Sequence, residues 1–113
     1  MKGIDREALF SRCKGMCEKC GGALPESWAA HHRKLRKHGG KDDINNVLAL
    51  HHECHNLGTD SVHLNPKNSY ANGWLVSAYA DHATAPVKLA GNWWVILTED
   101  GDYEGSPGPE GEQ

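Results

Sequence analysis

The 113-residue sequence lacks the long apolar stretches that membrane insertion requires. Its longest continuous apolar run, Trp93–Leu97, is far shorter than the roughly 20 residues of a membrane-spanning helix. The N-terminus, Met-Lys-Gly-Ile-Asp-Arg-Glu, has no apolar segment typical of a secretory signal. We therefore expect a cytoplasmic protein with reduced thiols.

Several enzyme motifs are also missing. The sequence has no glycine-rich phosphate-binding loop and no Gly-x-Ser-x-Gly elbow. His52-Glu-Cys-His55 is not the His-Glu-x-x-His motif of metalloproteases, because its histidines are only three residues apart. The zinc deaminase pattern is absent as well. These absences argue against each of those enzyme classes.

Net charge is small because opposite charges are separated along the chain. Twelve Lys and Arg against 15 Asp and Glu give −3. Six of the acids lie in residues 99–113, which contain no Lys or Arg, so residues 1–98 carry +3. That final segment is rich in Gly and Pro and has almost nothing apolar to bury, so we predict a disordered acidic tail over 99–113. The mildly basic body is compatible with a nucleic-acid partner.

The length of the chain fits one domain, which we place at residues 1–98. A short helix is predicted over 4–14, and strands are predicted at 28–32 and 46–50. Residues 33–43 between them are polar, charged and broken by two glycines, which favours a hairpin with a basic loop. A further helix could begin near His52, and the apolar stretches 74–80, 86–89 and 93–98 are expected to be structural.

Two short motifs have the spacing of metal ligands. Cys17-x2-Cys20 and His51-x2-Cys54 share a two-residue gap, so each pair can direct both side chains at one tetrahedral ion. Sulfur and nitrogen donors favour a structural Zn²⁺ ion. The alternatives are disulfides or unrelated buried thiols, and a reducing compartment disfavours the first. Cys13 is left over and is expected to be a small buried residue on the first helix.

The order of these motifs is more informative than any single histidine. Cys-x2-Cys is followed by His31-His32, a basic Gly-Gly loop, Asn46, and then His51-x2-Cys-His55. Over residues 12–56 this order resembles the HNH endonuclease family, the zinc-knuckle branch of the ββα-metal nucleases. Three short sequences further along resemble segments of small HNH proteins of actinobacterial phages: Val-His-Leu-Asn-Pro, Gly-Trp-Leu-Val-Ser and Ala-Pro-Val. The resemblance implies a small α+β, ββα-metal (HNH) fold, stabilised by the zinc knuckle and flanked by helices or strands.

The resemblance also implies roles for the motif residues. His32, Asn46 and His55 correspond to the three letters of the motif, with His32 as the general base and Asn46 orienting it. His31 and His55 would hold one catalytic divalent ion, Mg²⁺ or Mn²⁺, with Ni²⁺ or Zn²⁺ as alternatives. A third ligand is left open: relatives often have a histidine four residues after His55, whereas His63 here lies eight residues on.

Five cations in the segment after the histidine pair are expected to bind DNA phosphates. Arg33, beside the base, could clamp the scissile phosphate with its planar guanidinium. The other four would contact flanking phosphates and are Lys34, Arg36, Lys37 and Lys41. The alternative is a solvated surface loop, but its position between His32 and Asn46 favours DNA contact.

Two hypotheses follow for the function. The first is a metal-dependent DNA endonuclease that nicks one strand, encoded by a phage, acting in the host cytoplasm and linked through the resemblance to terminase and genome packaging. The second is a non-catalytic zinc-knuckle module that binds DNA or terminase and needs neither His32 nor Asn46.

Overall fold

Two short antiparallel strands form the hairpin that the sequence predicts. In this computed structural model, which describes residues 3–108, strand β1 is Ala29–His32 and strand β2 is Val47–Leu50. The register pairs Ala29 with Leu50 and His32 with Val47. All four residues of β2 are buried, whereas burial alternates along β1. Successive side chains of β1 therefore point to opposite faces, and His31 is buried while His32 is partly exposed.

Helix α1, Arg6–Arg12, covers one face of the hairpin. It begins at Asp5, whose carboxylate accepts a hydrogen bond from the Ala8 N–H at 3.0 Å. Its apolar side packs in a small core made of Leu9, Cys13, Trp28, Val47 and Ala49. The predicted short helix and the buried position of Cys13 are confirmed. Within residues 3–108, no helix has the length and apolar character needed to span a bilayer.

The second half of the fold is a three-stranded antiparallel sheet. Its strands are β3 (Val87–Leu89), β4 (Trp93–Leu97) and β5 (Tyr103–Gly105), in the order β3-β4-β5. A five-residue π-helical turn, Glu53–Leu57, follows β2, and helix α2 covers Pro66–Ala71. The architecture is thus α+β. The main core is made of Cys17, Leu48, Leu50, Val62, Trp74, Leu75, Val87, Leu89, Val95 and Leu97.

Part of the segment predicted to be a disordered tail is strand β5. It pairs with β4, with Tyr103 opposite Leu97. The Tyr103 ring packs edge-on against Trp93 at a centroid distance of 5.5 Å, and its hydroxyl donates to a Glu18 carboxylate oxygen at 2.5 Å. Burial, and then the Glu18 charge, raises the pKa of Tyr103. Composition misled because one aromatic anchor can order a segment that is otherwise acidic; residues 109–113 of the predicted tail lie outside the described residues.

Glu18, which accepts from Tyr103, belongs to a buried ion pair. Arg12 at the end of α1 donates through Nε and Nη2 to the two Glu18 oxygens, both at 2.9 Å. The same guanidinium donates to the carbonyls of Ile44, at 2.8 Å, and Val47, at 2.7 Å. Glu18 also accepts the Ala49 N–H at 2.8 Å. The pair therefore joins α1, the Cys17–Cys20 turn, β2 and β5 through charge-assisted hydrogen bonds.

We predict that Tyr103→Phe destabilises the fold by about 1–3 kcal/mol, because it removes a hydroxyl that hydrogen-bonds a buried carboxylate. Urea unfolding of both proteins measures the difference. Tyr79→Phe is the matched control, since Tyr79 is 99% exposed and should tolerate loss of its hydroxyl. Equal unfolding midpoints for the two variants would show that the hydrogen bond from the Tyr103 hydroxyl to Glu18 does not stabilise the fold.

Candidate active site

The structure brings the four predicted zinc ligands together. Cys17 and Cys20 lie on the turn after α1, and His51 and Cys54 lie where β2 runs into the π-helical turn. Their donor atoms all lie within 4.8 Å of one another. Three sulfurs and one imidazole nitrogen are a donor set that zinc prefers. These residues can therefore hold a structural zinc ion.

The orientation of His51 supports this assignment. Its Nε2 lies 2.8 Å from the carbonyl of Ala23, to which it must donate a hydrogen bond. The remaining nitrogen, Nδ1, faces the Cys20 sulfur at 3.2 Å and the Cys54 sulfur at 3.9 Å. A metal-binding histidine commonly donates its second ring N–H to a backbone carbonyl in this way.

The thiols are crowded enough to perturb one another. Burial, and then the neighbouring Cys17, raises the pKa of Cys54 to about 12. Burial also acts to raise the pKa of Cys17, but backbone hydrogen bonds, first at Cys20 and then at His51, outweigh it and lower that pKa. A divalent cation bound here would lower the pKa values of the coordinating thiols, because it stabilises each thiolate.

Three histidines form a second cluster, separate from the first. His31 on β1, His55 on the π-helical turn and His63 have donor nitrogens within 4.8 Å of one another. The Nε2 atoms of His55 and His63 are 3.1 Å apart. The loop after the π-helical turn brings His63 back, so that its N–H donates to the His55 carbonyl at 3.1 Å. His63 can therefore reach His55 even though eight residues separate the two in sequence, because the intervening loop turns back.

Two of these histidines, His31 and His55, favour the neutral imidazole. Burial lowers the pKa of His31 to about 3, and burial together with His63 lowers that of His55 to about 4. His31 Nε2 lies 2.7 Å from the Trp74 carbonyl and must donate to it, so Nδ1 is the nitrogen left to bind a cation. Trp74 was expected to be structural and was not assigned to the site; its signals were the apolar stretch 74–80 and the short sequence Gly-Trp-Leu-Val-Ser.

Asn46 is fully buried and holds the basic loop, residues 33–41, by its side chain. Its Nδ2 donates to the carbonyls of Lys34, at 3.1 Å, and Lys41, at 2.9 Å. Its Oδ1 accepts the Lys34 N–H at 2.9 Å. A single amide thus fixes both ends of the segment 34–41, next to His32.

His32 is partly exposed and has one close polar partner. Its Nε2 lies 2.7 Å from Oδ1 of Asp42, a residue that the sequence analysis did not single out. The available signal was the position of Asp42 directly after Lys41, in the segment bracketed by His32 and Asn46.

The predicted role of Arg33 as a phosphate clamp is wrong. Arg33 is fully buried, and its guanidinium donates to the carbonyls of Gly73 at 2.8 Å, Ala85 at 2.9 Å and Pro86 at 3.2 Å. Burial lowers its pKa to about 10, which still leaves it charged at neutral pH. Arg33 lies two residues after His31, and alternate side chains along an extended strand point to the same face. It therefore lies on the same buried face as His31.

The other four cations differ in availability. Lys34 is half-buried, and its Nζ donates to the Ala80 carbonyl at 2.9 Å. Arg36, Lys37 and Lys41 are exposed. Arg36 lies 3.3 Å from Asp42 through Nη1, with its side chain still 71% exposed. Three surface cations therefore remain that could contact phosphates.

Comparison with known proteins gives a family match over part of the chain. Residues 17–61 match the family model described as HNH endonuclease. The match starts at the first zinc-cluster cysteine and includes His31, His32, Asn46 and His55, while His63 lies just beyond it. Members of this family are generally nucleases. No curated protein and no solved structure matches the chain.

We predict that the purified protein retains about one zinc ion per chain after mild chelation, because three thiolates and an imidazole bind zinc tightly. Cys20→Ser should lose that zinc, as measured by atomic emission, and unfold at lower temperature. Cys13→Ser is the matched control: Cys13 is outside the cluster, so its zinc content should equal that of the wild type. Zinc retention by Cys20→Ser would contradict the assignment.

Acid should destabilise the protein through His31. Its folded pKa of about 3 lies below the ordinary value of 6.5, so the unfolded chain binds the proton more tightly. Its stabilisation is therefore complete above pH 6.5 and is lost as pH falls, by about 2 kcal/mol between pH 7 and pH 5.

His31→Gln tests this, since glutamine can donate to the Trp74 carbonyl but does not titrate. Urea unfolding at both pH values, with weakly bound divalent ions removed, should give a shallower pH dependence for the variant. Identical slopes would show that His31 is not responsible.

Proposed function

We propose that this protein is a metal-dependent DNA endonuclease of the HNH type that hydrolyses phosphodiester bonds and nicks one strand per active site. We infer that β1, β2 and the π-helical turn constitute its ββα-metal unit. The observation that carries the proposal is the cluster of His31, His55 and His63 beside His32, built largely within the segment that matches the HNH family.

The three clustered histidines would hold the catalytic divalent ion, Mg²⁺ or Mn²⁺, with Ni²⁺ or Zn²⁺ as alternatives. When bound, such an ion supplies Lewis-acid stabilisation to the scissile phosphate and the leaving oxygen. His31 and His55 contribute neutral nitrogen donors that need no deprotonation at neutral pH. Because His31 is fixed by the Trp74 carbonyl and His55 follows the zinc ligand Cys54, both donors are oriented in advance.

His32 would act as the general base that takes a proton from the attacking water. Histidine suits this task because its ordinary pKa is about 6.5, close to physiological pH. Its partly exposed ring can be reached by water, unlike the buried His31. Asn46 would keep the loop beside the base in place through its three side-chain hydrogen bonds.

DNA would be held by the exposed cations of the basic loop. Arg36, Lys37 and Lys41 are free to contact phosphates, whereas Arg33 is enclosed and takes no part. Contacts of this kind do not read sequence and weaken as salt increases. We therefore expect binding to be general for DNA and strongly salt-dependent.

A narrower form of the proposal places the enzyme in phage genome packaging, in the host cytoplasm, with terminase as a partner. It is supported by the resemblance of three short sequences in this chain to segments of phage HNH proteins. Two of these sequences, Gly-Trp-Leu-Val-Ser and Ala-Pro-Val, contain the Gly73, Ala85 and Pro86 carbonyls that accept hydrogen bonds from Arg33. They therefore belong to the framework of the site. Stimulation of nicking by a purified terminase would test this part.

We predict that the wild-type protein converts supercoiled plasmid to open circles with Mg²⁺ or Mn²⁺, and that His32→Ala lowers the rate at least about 100-fold. His63→Ala should also impair cutting, with partial rescue by more metal, because His55 and His31 remain. His52→Ala is the matched control: His52 is exposed, contacts Ser27 at 3.0 Å and belongs to neither cluster. Gel assays measure the rates.

DNA affinity, measured by fluorescence anisotropy, separates catalysis from binding. His32→Ala should bind as tightly as the wild type, since the cations that hold DNA are unchanged. If the wild type binds DNA but cuts with none of the metals, the non-catalytic module is the correct alternative. Equal cutting by His32→Ala and the wild type would remove His32 from the mechanism.

A further inference from the structure

Asp42 has a contact that the proposed mechanism does not use. Its Oδ1 lies 2.7 Å from His32 Nε2, and the Arg36 Nη1 lies 3.3 Å from the same oxygen. The side chains of His32 and Asp42 are 17% and 22% exposed, so water does not fully screen the contact. The hydrogen bond to His32, and then the Arg36 charge, lowers the pKa of Asp42, which keeps it ionised at neutral pH.

An ionised carboxylate can only accept hydrogen bonds. His32 must therefore carry its proton on Nε2, which leaves the lone pair of a neutral ring on Nδ1. A ring without such a partner exchanges between two tautomers and rotates more freely. The contact thus selects both the tautomer and the orientation of His32, as a third group does in catalytic triads.

The backbone around Asp42 is fixed by Asn46. The Asn46 side-chain Nδ2 donates to the carbonyl of Lys41 at 2.9 Å, and the Asn46 N–H donates to the carbonyl of Asp43 at 2.8 Å. The residues directly before and after Asp42 are therefore both bonded to one buried residue. This arrangement holds the carboxylate against His32 from a rigid base.

We propose that Asp42 is a positioning residue for His32, and that Asn46 acts on the base through Asp42. Asp42 fixes the Nε2–H tautomer and presents Nδ1 as the atom that accepts the proton from water. The inference rests on the proposed nuclease function for its kinetic consequence, but its geometric part stands on the His32 contact alone.

Kinetics of Asp42→Ala and Asp43→Ala test the catalytic consequence. Asp43 is the matched control, because it is the adjacent acid, its side chain is 58% exposed, and it contacts His82, at 3.6 Å, rather than His32. Both variants remove one negative charge beside the basic loop. With Mg²⁺ or Mn²⁺ and an oligonucleotide duplex, Asp42→Ala should lower kcat at least about tenfold with KM within about twofold. Asp43→Ala should leave kcat unchanged.

Equal kcat for Asp42→Ala and the wild type would overturn the proposal. So would equal losses in the two variants, since these would reflect the general charge of the loop. A change confined to KM would likewise assign Asp42 to DNA binding rather than to the base.

The tautomer of His32 can be read without any cutting. Two-bond ¹⁵N–¹H NMR spectra at pH 8 should show the Nε2–H form of His32 in the wild type and in Asp43→Ala, and a mixture in Asp42→Ala. A wild-type His32 carrying its proton on Nδ1 would overturn the proposal. If the wild type fails to cut but shows these spectra, the nuclease function is wrong while the positioning contact stands.

Discussion

The buried ion pair between Arg12 and Glu18 is the interaction on which the rest of the structure depends. It is the point where α1, the turn of the zinc cluster, β2 and β5 meet. Removing one partner of such a pair leaves an uncompensated buried charge, at a cost of about 3–5 kcal/mol. Since β2 leads directly into His51 and Cys54, a shift in this pair would move ligands of both clusters.

The candidate site also depends on backbone carbonyls from outside the HNH segment. The Trp74 carbonyl fixes the ring of His31, and the carbonyls of Gly73, Ala85 and Pro86 enclose Arg33. None of these four residues lies within residues 17–61. A peptide limited to that segment would therefore contain all three motif letters, but would lose the contacts that orient His31 and enclose Arg33.

The sequence was sufficient where the chemistry is local and insufficient where it is tertiary. The two-residue gaps predicted the zinc-cluster ligands, and the apolar runs beside a polar loop predicted the hairpin. His63 could not be assigned, because its approach to His55 depends on how a loop returns. Arg33 looked like a surface cation because the carbonyls that bind it come from residues far along the chain. Tyr103 was hidden by its acidic neighbours, since composition averages over the one side chain that reaches Glu18.

Adjacent residues of the π-helical turn serve the two clusters, Cys54 the first and His55 the second. This adjacency couples the geometry of the two clusters. A rotation of the turn that moves Cys54 away from Cys17 and Cys20 would also move His55 away from His31 and His63. The contacts that hold the first cluster together therefore also set the distances between the donor atoms of the second.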